Sequence, residues 1–229
     1  MSSNQLERRE LMRMVCIRIL LAILVLSGMF FLPAGTFAYC EAWVYLAILF
    51  IPMVLVLIYL IKYDPELLER RMRMREKEVK QKLIVKLSYL YFLLTFLLPG
   101  FDKRFEWSSI PVGVVVFADI LVLLGYGMFF LVLRENRYAS RIIEVVQGQK
   151  VISTGPYAIV RHPMYLGMSL MYISSPLALG SYWAIIPSVL IIPLLVARIR
   201  NEEGVLIKEL EGYQEYLQKT KFRLFPGIW

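Results

Sequence analysis

The residues best suited to chemistry lie in one short stretch, Gly155-Pro-Tyr-Ala-Ile-Val-Arg-His-Pro-Met-Tyr-Leu-Gly167, which carries the single histidine of the chain, His162. Further on, Arg198 is followed at helical spacing by Glu202 and Glu203. Residues four apart share one helical face, so Arg198 and Glu202 point the same way. Together these residues offer cationic donors, carboxylate acceptors and aromatic rings, a set suited to holding a charged ligand. One histidine and two separated cysteines, Cys16 and Cys40, make neither a multi-histidine metal centre nor a disulfide framework, and no metal site is expected. A Gly-x-Gly-x-x-Gly dinucleotide fingerprint is absent.

Taken singly, each residue has an ordinary explanation. Arg161 serves as a topology determinant, His162 as a helix-end residue and Tyr165 as an interfacial aromatic anchor. Arg198 with Glu202 reads as a surface ion pair worth less than about 1 kcal/mol. Their joint placement beside two apolar segments sets them apart, because polar groups near lipid are costly to bury.

The elements that must position them are membrane helices. The chain has 229 residues, is 59% hydrophobic and has a mean hydropathy of +0.61, well above the roughly 45–50% apolar content of soluble domains. Six apolar runs, 15–32, 43–61, 83–99, 110–133, 164–179 and 182–197, approach or reach the ~17–25 residues that cross a bilayer. Backbone groups must be satisfied within the segment in lipid, so these runs are helices. The expected fold is an all-α integral membrane protein of about six spans. Its last two spans form a hairpin around Gly180-Ser181, with a pocket at their cytosolic ends.

Lys and Arg crowd the N-terminus, the second and fourth connections and the C-terminal tail; the first and fifth connections carry none, and the third only Lys103 and Arg104. The positive-inside rule then places both termini in the cytosol. The net charge of +8 follows from topology and from attraction to anionic lipid, without nucleic-acid binding. The first apolar run is long for a signal-peptide core and is read as an uncleaved helix.

Two regions divide the chain: 1–133, with an interfacial helix near 64–82, and 134–229, which carries the candidate site. In the first, Asp64-Pro-Glu-Leu-Leu opens with a cap and a first-turn proline. Leu67, Leu68 and Met72 among basic residues suit the headgroup layer. In the second, Gly148 and Gly155-Pro156 punctuate the longest polar connection. Pro163 suits the first turn of the fifth span, and His162 stands before it, where free amides favour an anion. After Glu203, Leu206, Leu210, Tyr213 and Leu217 recur at three and four as an amphipathic helix packing on the hairpin. The closing stretch from Phe222 to Trp229 is read as a lid. Gly125 and Gly127 make a loose small-residue face.

The segment Gly155-Pro-Tyr…Arg161-His-Pro-Met-Tyr-Leu-Gly167, with Glu202-Glu203 and Glu215-Tyr216…Arg223-Leu-Phe-Pro226, resembles the isoprenylcysteine carboxyl methyltransferase family over residues 134–229. The wider group includes membrane phospholipid methyltransferases. The resemblance implies an S-adenosylmethionine-dependent methyltransferase whose lipophilic or prenylated acceptor enters from the bilayer. Carried over by position, the cofactor contacts fall on Gln147, Gln149, Lys150, Val151, Ile152, Tyr157, His162, Pro163, Met164, Tyr165 and Glu202. The substrate-side arginine falls on Arg198, with Arg200 as a competitor. Many members have histidine where this chain has Gln149.

A prenylcysteine carboxylate is already a nucleophile at neutral pH, and Arg198 would grip it with paired bonds. An amine acceptor must first lose a proton, and Glu203 or a substrate phosphate would then have to serve as base. Three other readings stand beside this one: a phosphatidylethanolamine-type N-methyltransferase, a nicotinamide-dependent reductase akin to sterol reductases, and a non-catalytic membrane interaction protein.

Overall fold

The computed structural model describes residues 3–72, 79–140 and 143–229. Every regular element among them is helical: α1 Ser3–Ala34, α2 Cys40–Tyr63, α3 Pro65–Met72, α4 Val79–Phe105, α5 Val112–Glu135, α6 Pro163–Ala178, α7 Ile185–Val189, α8 Ile191–Glu209 and α9 Tyr213–Lys219, with one 3₁₀ turn at Gly155–Ala158. Three segments are long and apolar enough to cross a bilayer by length and composition: Arg9–Ala34, Cys40–Tyr63 and Val112–Glu135. Between 17% and 28% of each is buried inside the protein. The rest presents Leu20, Leu24, Leu55, Ile58, Phe117 and Leu124 outward, an apolar surface suited to lipid and ill suited to water.

The remaining three expected spans take a different form. α4 is long but begins and ends in charged residues, and α6 has 16 residues. The sixth is broken at Leu190 into α7 and α8, so the last two spans form an interrupted hairpin. Pro187 in α7 and Pro193 near the start of α8 each lack the N–H that a continuous helix would use.

Helix pairing follows from small residues. α5 packs along α6, where a Cβ on Gly125 would sit 2.6 Å from the Gly167 carbonyl oxygen and one on Gly167 would sit 2.8 Å from that of Gly125. The two backbones therefore touch, which only glycine permits. Gly125 thus serves a contact within the chain, while Gly127 has open space around it. α1 packs along α4 in the same manner, with Gly100 against the Phe30 carbonyl. A core of Phe30, Tyr45, Phe96 and Val122 fills the space between these pairs.

The helix-start signal at Asp64 is realised. Its carboxylate accepts from the Leu67 N–H at 3.1 Å, and Pro65 occupies the first turn. The leucines of α3, however, turn inward: Leu67 and Leu68 are buried with Val15, Leu60 and Leu133. The apolar face expected to dip into headgroups is used for packing. The rest of that expected helix includes 73–78, which lie outside the described residues.

Candidate functional site

The site grows from the start of α6. Pro163 takes the first helical position and His162 the cap position, as the Arg-His-Pro order requires. The backbones of Arg161 and His162 donate to the carbonyls of Phe222 and Arg223 at 2.9 and 3.0 Å. The closing stretch therefore acts as a strut behind the site. It packs Leu224, Phe225 and Trp229 against Tyr91, Ile191 and Leu195, contributes nothing to the cleft lining, and so is no lid.

Glutamates 202 and 203 are adjacent on α8 and point to opposite fates. Glu203 is buried, its side chain 5% exposed. Its Oε1 lies 2.8 Å from Arg161 Nε and 3.4 Å from His162 Nε2, and its Oε2 accepts from Arg223 Nε at 2.7 Å. Burial by itself would raise this carboxyl. Hydrogen bonds from His162 and Arg223, with the charges of His162 and Arg161, outweigh burial and hold it at about 2. A carboxylate so held is a poor proton acceptor, so the base role open to Glu203 at the sequence level does not fit. Glu202 instead reaches the cleft, its side chain 27% exposed. It accepts from the Tyr165 hydroxyl at 2.6 Å, and that hydroxyl accepts from Arg198 Nε at 2.9 Å. Tyr165 of α6 thus bridges Arg198 and Glu202, both on α8.

The cleft encloses about 870 Å³, counted out to the solvent at its mouth. Gln149, Lys150, Val151, Ile152, Tyr157, His162, Pro163, Met164, Tyr165, Arg198 and Glu202 all line it. Gln147 does not: it is exposed on the turn that Gly148 makes with a positive φ. Arg200 is exposed outside the cleft, so of these two arginines Arg198 is the one that lines it. The Gln149 side chain accepts from the Val146 N–H at 3.1 Å and so braces its own turn.

Several lining residues escaped sequence reasoning. Asn136, at the C-terminal cap of α5, donates to the Tyr157 hydroxyl at 2.9 Å. Its neighbours Tyr138 and Ala139 form one wall, which Arg71 of α3 ties down by donating to the Ala139 carbonyl at 2.8 Å. Opposite stand Leu206, Leu210, Tyr213 and Tyr216. Of the stripe expected to pack on the hairpin, Leu206, Leu210 and Tyr213 line the cleft and Leu217 does not. The stripe runs in two helices, because the chain turns at Gly212 with a positive φ, and it packs with Val145, Val151 and Tyr157 of the fourth connection. Tyr216 donates to the Tyr157 carbonyl at 2.8 Å, locking α9 to the 3₁₀ turn. Burial raises both phenols, that of Tyr216 to about 12, so they remain donors at neutral pH.

The donor set fits a nucleoside-type ligand bearing an amino acid. Two acidic residues, Glu144 and Glu202, line it, aromatic rings and aliphatic side chains flank the space, and among the described residues the buried Tyr213 hydroxyl has no hydrogen-bond partner. A buried hydroxyl left unpaired is costly, and a ligand would satisfy it. Among the described residues, no group of three or more histidine, cysteine or acidic side chains is arranged for a metal.

Among curated proteins, none matches this chain. A family match covers most of the residues that build the cleft, beginning within α5 and ending within α8, short of Leu210, Tyr213 and Tyr216. Residues 113–208 match the model of the Isoprenylcysteine carboxyl methyltransferase (ICMT) family, so this part of the chain carries the pattern of the family that its Arg-His-Pro-x-Tyr-x-Gly stretch and glutamate pair resemble.

Proposed function

We propose that this protein is an integral membrane methyltransferase that uses S-adenosylmethionine to esterify the carboxylate of a prenylcysteine-like, lipophilic acceptor. The observation that carries this reading is the chain Arg198–Tyr165–Glu202 along the cleft wall. It sets a cationic donor and an anionic acceptor on the two sides of one tyrosine hydroxyl, facing a space bordered by apolar side chains. The family match supports a methyltransferase.

Bound in the cleft, S-adenosylmethionine supplies a methyl group on a cationic sulfur, so the protein's task is binding, alignment and electrostatics. Glu202, with one oxygen engaged by Tyr165, accepts hydrogen bonds from the cofactor. Tyr157 and Tyr213 present aromatic surfaces beside a cation. Arg198 holds the acceptor carboxylate close to the methyl, and such proximity accounts for several kcal/mol of barrier reduction. No proton has to leave a carboxylate before it attacks. That agrees with a site whose second glutamate is held at about 2 and whose one histidine is buried against it. An amine acceptor would first have to lose a proton, and Glu203, held at about 2, is a poor acceptor for it.

The topology belongs to the same proposal: six crossings with both termini in the cytosol. α4 has 27 residues, about 40 Å at 1.5 Å per residue, and α6 and α7–α8 complete the count beside α1, α2 and α5. The cleft then opens at the cytosolic surface, where cationic residues collect.

The test is transfer of labelled methyl from S-adenosylmethionine by purified protein, offered a farnesylcysteine analogue and phosphatidylethanolamine in parallel. Base-labile label in the farnesylcysteine product is the expected result. Base-stable label in the phospholipid, or none in either, would reject the assignment.

A further inference from the structure

Resting on the cofactor reading above, we infer that Tyr213 recognises the nucleobase of the bound cofactor, its phenolic hydroxyl donating a hydrogen bond to a ring nitrogen of the base. The ground for this is a mismatch between the ring and the oxygen it carries. The ring is packed. Tyr213 is 4% exposed, its centroid lies 5.7 Å from that of Tyr216, and Val145, Val151, Tyr157 and Leu206 join the same apolar cluster. The hydroxyl oxygen is buried too, yet among the described residues nothing hydrogen-bonds to it.

Other phenols of the cleft show what an occupied hydroxyl does. Tyr216 donates to the Tyr157 carbonyl at 2.8 Å, the Tyr157 hydroxyl accepts from Asn136 at 2.9 Å, and Tyr165 donates to Glu202 at 2.6 Å. Each of these bonds ties two segments of the chain together. The Tyr213 oxygen ties nothing, and a phenylalanine would fill the same space without burying a lone hydroxyl, which is costly. Amphipathic packing therefore accounts for the ring and leaves the oxygen unexplained. Gly212, in the left-handed region at φ 79°, turns the chain so that Tyr213, the first residue of α9, meets the cleft.

The kind of partner follows from the surroundings. Burial raises the phenol, so it is protonated at neutral pH and available as a donor. Around it the wall is aliphatic and aromatic, with Val151, Tyr157, Leu206 and Leu210. A flat heteroaromatic ring suits such a wall, and its ring nitrogens are acceptors. An ionised carboxylate such as Glu202 can only accept and cannot serve them, whereas a phenol can. Tyr213 also lies beyond residue 208, where the family match ends, so this contact is not part of the matched pattern.

The test uses the whole protein in detergent and takes two measurements. Thermal unfolding without ligand addresses the oxygen alone. Tyr213→Phe should melt no lower than the unaltered protein, while Tyr216→Phe, which loses the bond to Tyr157, should melt lower. A lower melting temperature in Tyr213→Phe would mean that the hydroxyl already supports the fold, and would overturn the proposal.

Calorimetry addresses the base. S-adenosylhomocysteine is compared with analogues in which one ring nitrogen of the base at a time is replaced by C–H. At least one analogue should bind the unaltered protein about tenfold more weakly, the factor a single hydrogen bond carries. That deficit should vanish in Tyr213→Phe, which binds S-adenosylhomocysteine about tenfold more weakly itself. Equal affinity of all analogues for the unaltered protein, or deficits that all persist in Tyr213→Phe, would overturn the assignment. Failure of S-adenosylhomocysteine to bind either protein rejects the cofactor reading itself and takes the base contact with it.

Discussion

Replacing Glu203 by glutamine removes the one negative charge that Arg161, His162 and Arg223 share, while leaving the volume of the side chain almost unchanged. The carboxyl is held at about 2 against an ordinary value of 4.5, a difference worth about 3 kcal/mol. Breaking a buried ion pair by removing one partner costs about 3–5 kcal/mol in general, which agrees. For a chain of this size that predicts a fall in melting temperature of about 6–12 °C. The assay is thermal unfolding in detergent, followed by circular dichroism, with Glu202→Gln as comparison. Glu202 gives up one hydrogen bond from Tyr165 at the cleft edge, worth about 1 kcal/mol, so its shift should be less than half as large. Acid supplies a second axis. A depressed carboxyl stabilises the fold in full above about 4.5, and that contribution fades as pH falls toward about 2. The unaltered protein should therefore lose melting temperature across this window, and Glu203→Gln should lose less. Equal melting temperatures for Glu203→Gln and the unaltered protein, or a larger loss in Glu202→Gln, would refute the reasoning.

Other perturbations address the cleft and the helix pairs. His162→Ala and Glu202→Ala should each weaken S-adenosylmethionine binding at least tenfold by calorimetry, since both side chains line the cleft; unchanged affinity in both would reject the site. Arg198→Ala should keep cofactor affinity within about threefold, a change of less than about 1 kcal/mol, and abolish turnover, while Arg200→Ala should change neither, because Arg200 is exposed outside the cleft. Loss of binding without loss of turnover would reverse the role of Arg198. Gly167→Ala should destabilise by about 1–3 kcal/mol, because its Cβ would meet the Gly125 carbonyl at 2.8 Å; Gly127→Ala, with open surroundings, should melt like the unaltered protein.

Much of the site was legible because helices impose spacing. Arg198 and Glu202 had to share a face, and Pro163 had to open a helix behind His162. Both hold, and all but one of the carried-over contact positions line one cleft. What spacing could not reveal was mediation across elements. Tyr165 joins Arg198 to Glu202 from a different helix, and nothing in the order of residues announces it. Adjacent glutamates look equivalent in sequence, yet a turn of about 100° per residue sends one inward to Arg161, His162 and Arg223 and the other to the cleft. The inward packing of Leu67 and Leu68 was equally hidden, because an amphipathic pattern states that a face is buried without stating against what. Hydropathy marked six apolar runs, but the break at Leu190 and the turn at Gly212 depend on tertiary packing.

The central claim is that the cleft between α6 and α8 holds the methyl donor beside a lipophilic carboxylate. A structure of the protein with bound S-adenosylhomocysteine tests it most directly. The account predicts density in that cleft, within hydrogen-bond distance of His162 and Glu202, with Arg198 facing the sulfur side. Ligand bound elsewhere, with Glu202 still engaged only by Tyr165, would contradict it.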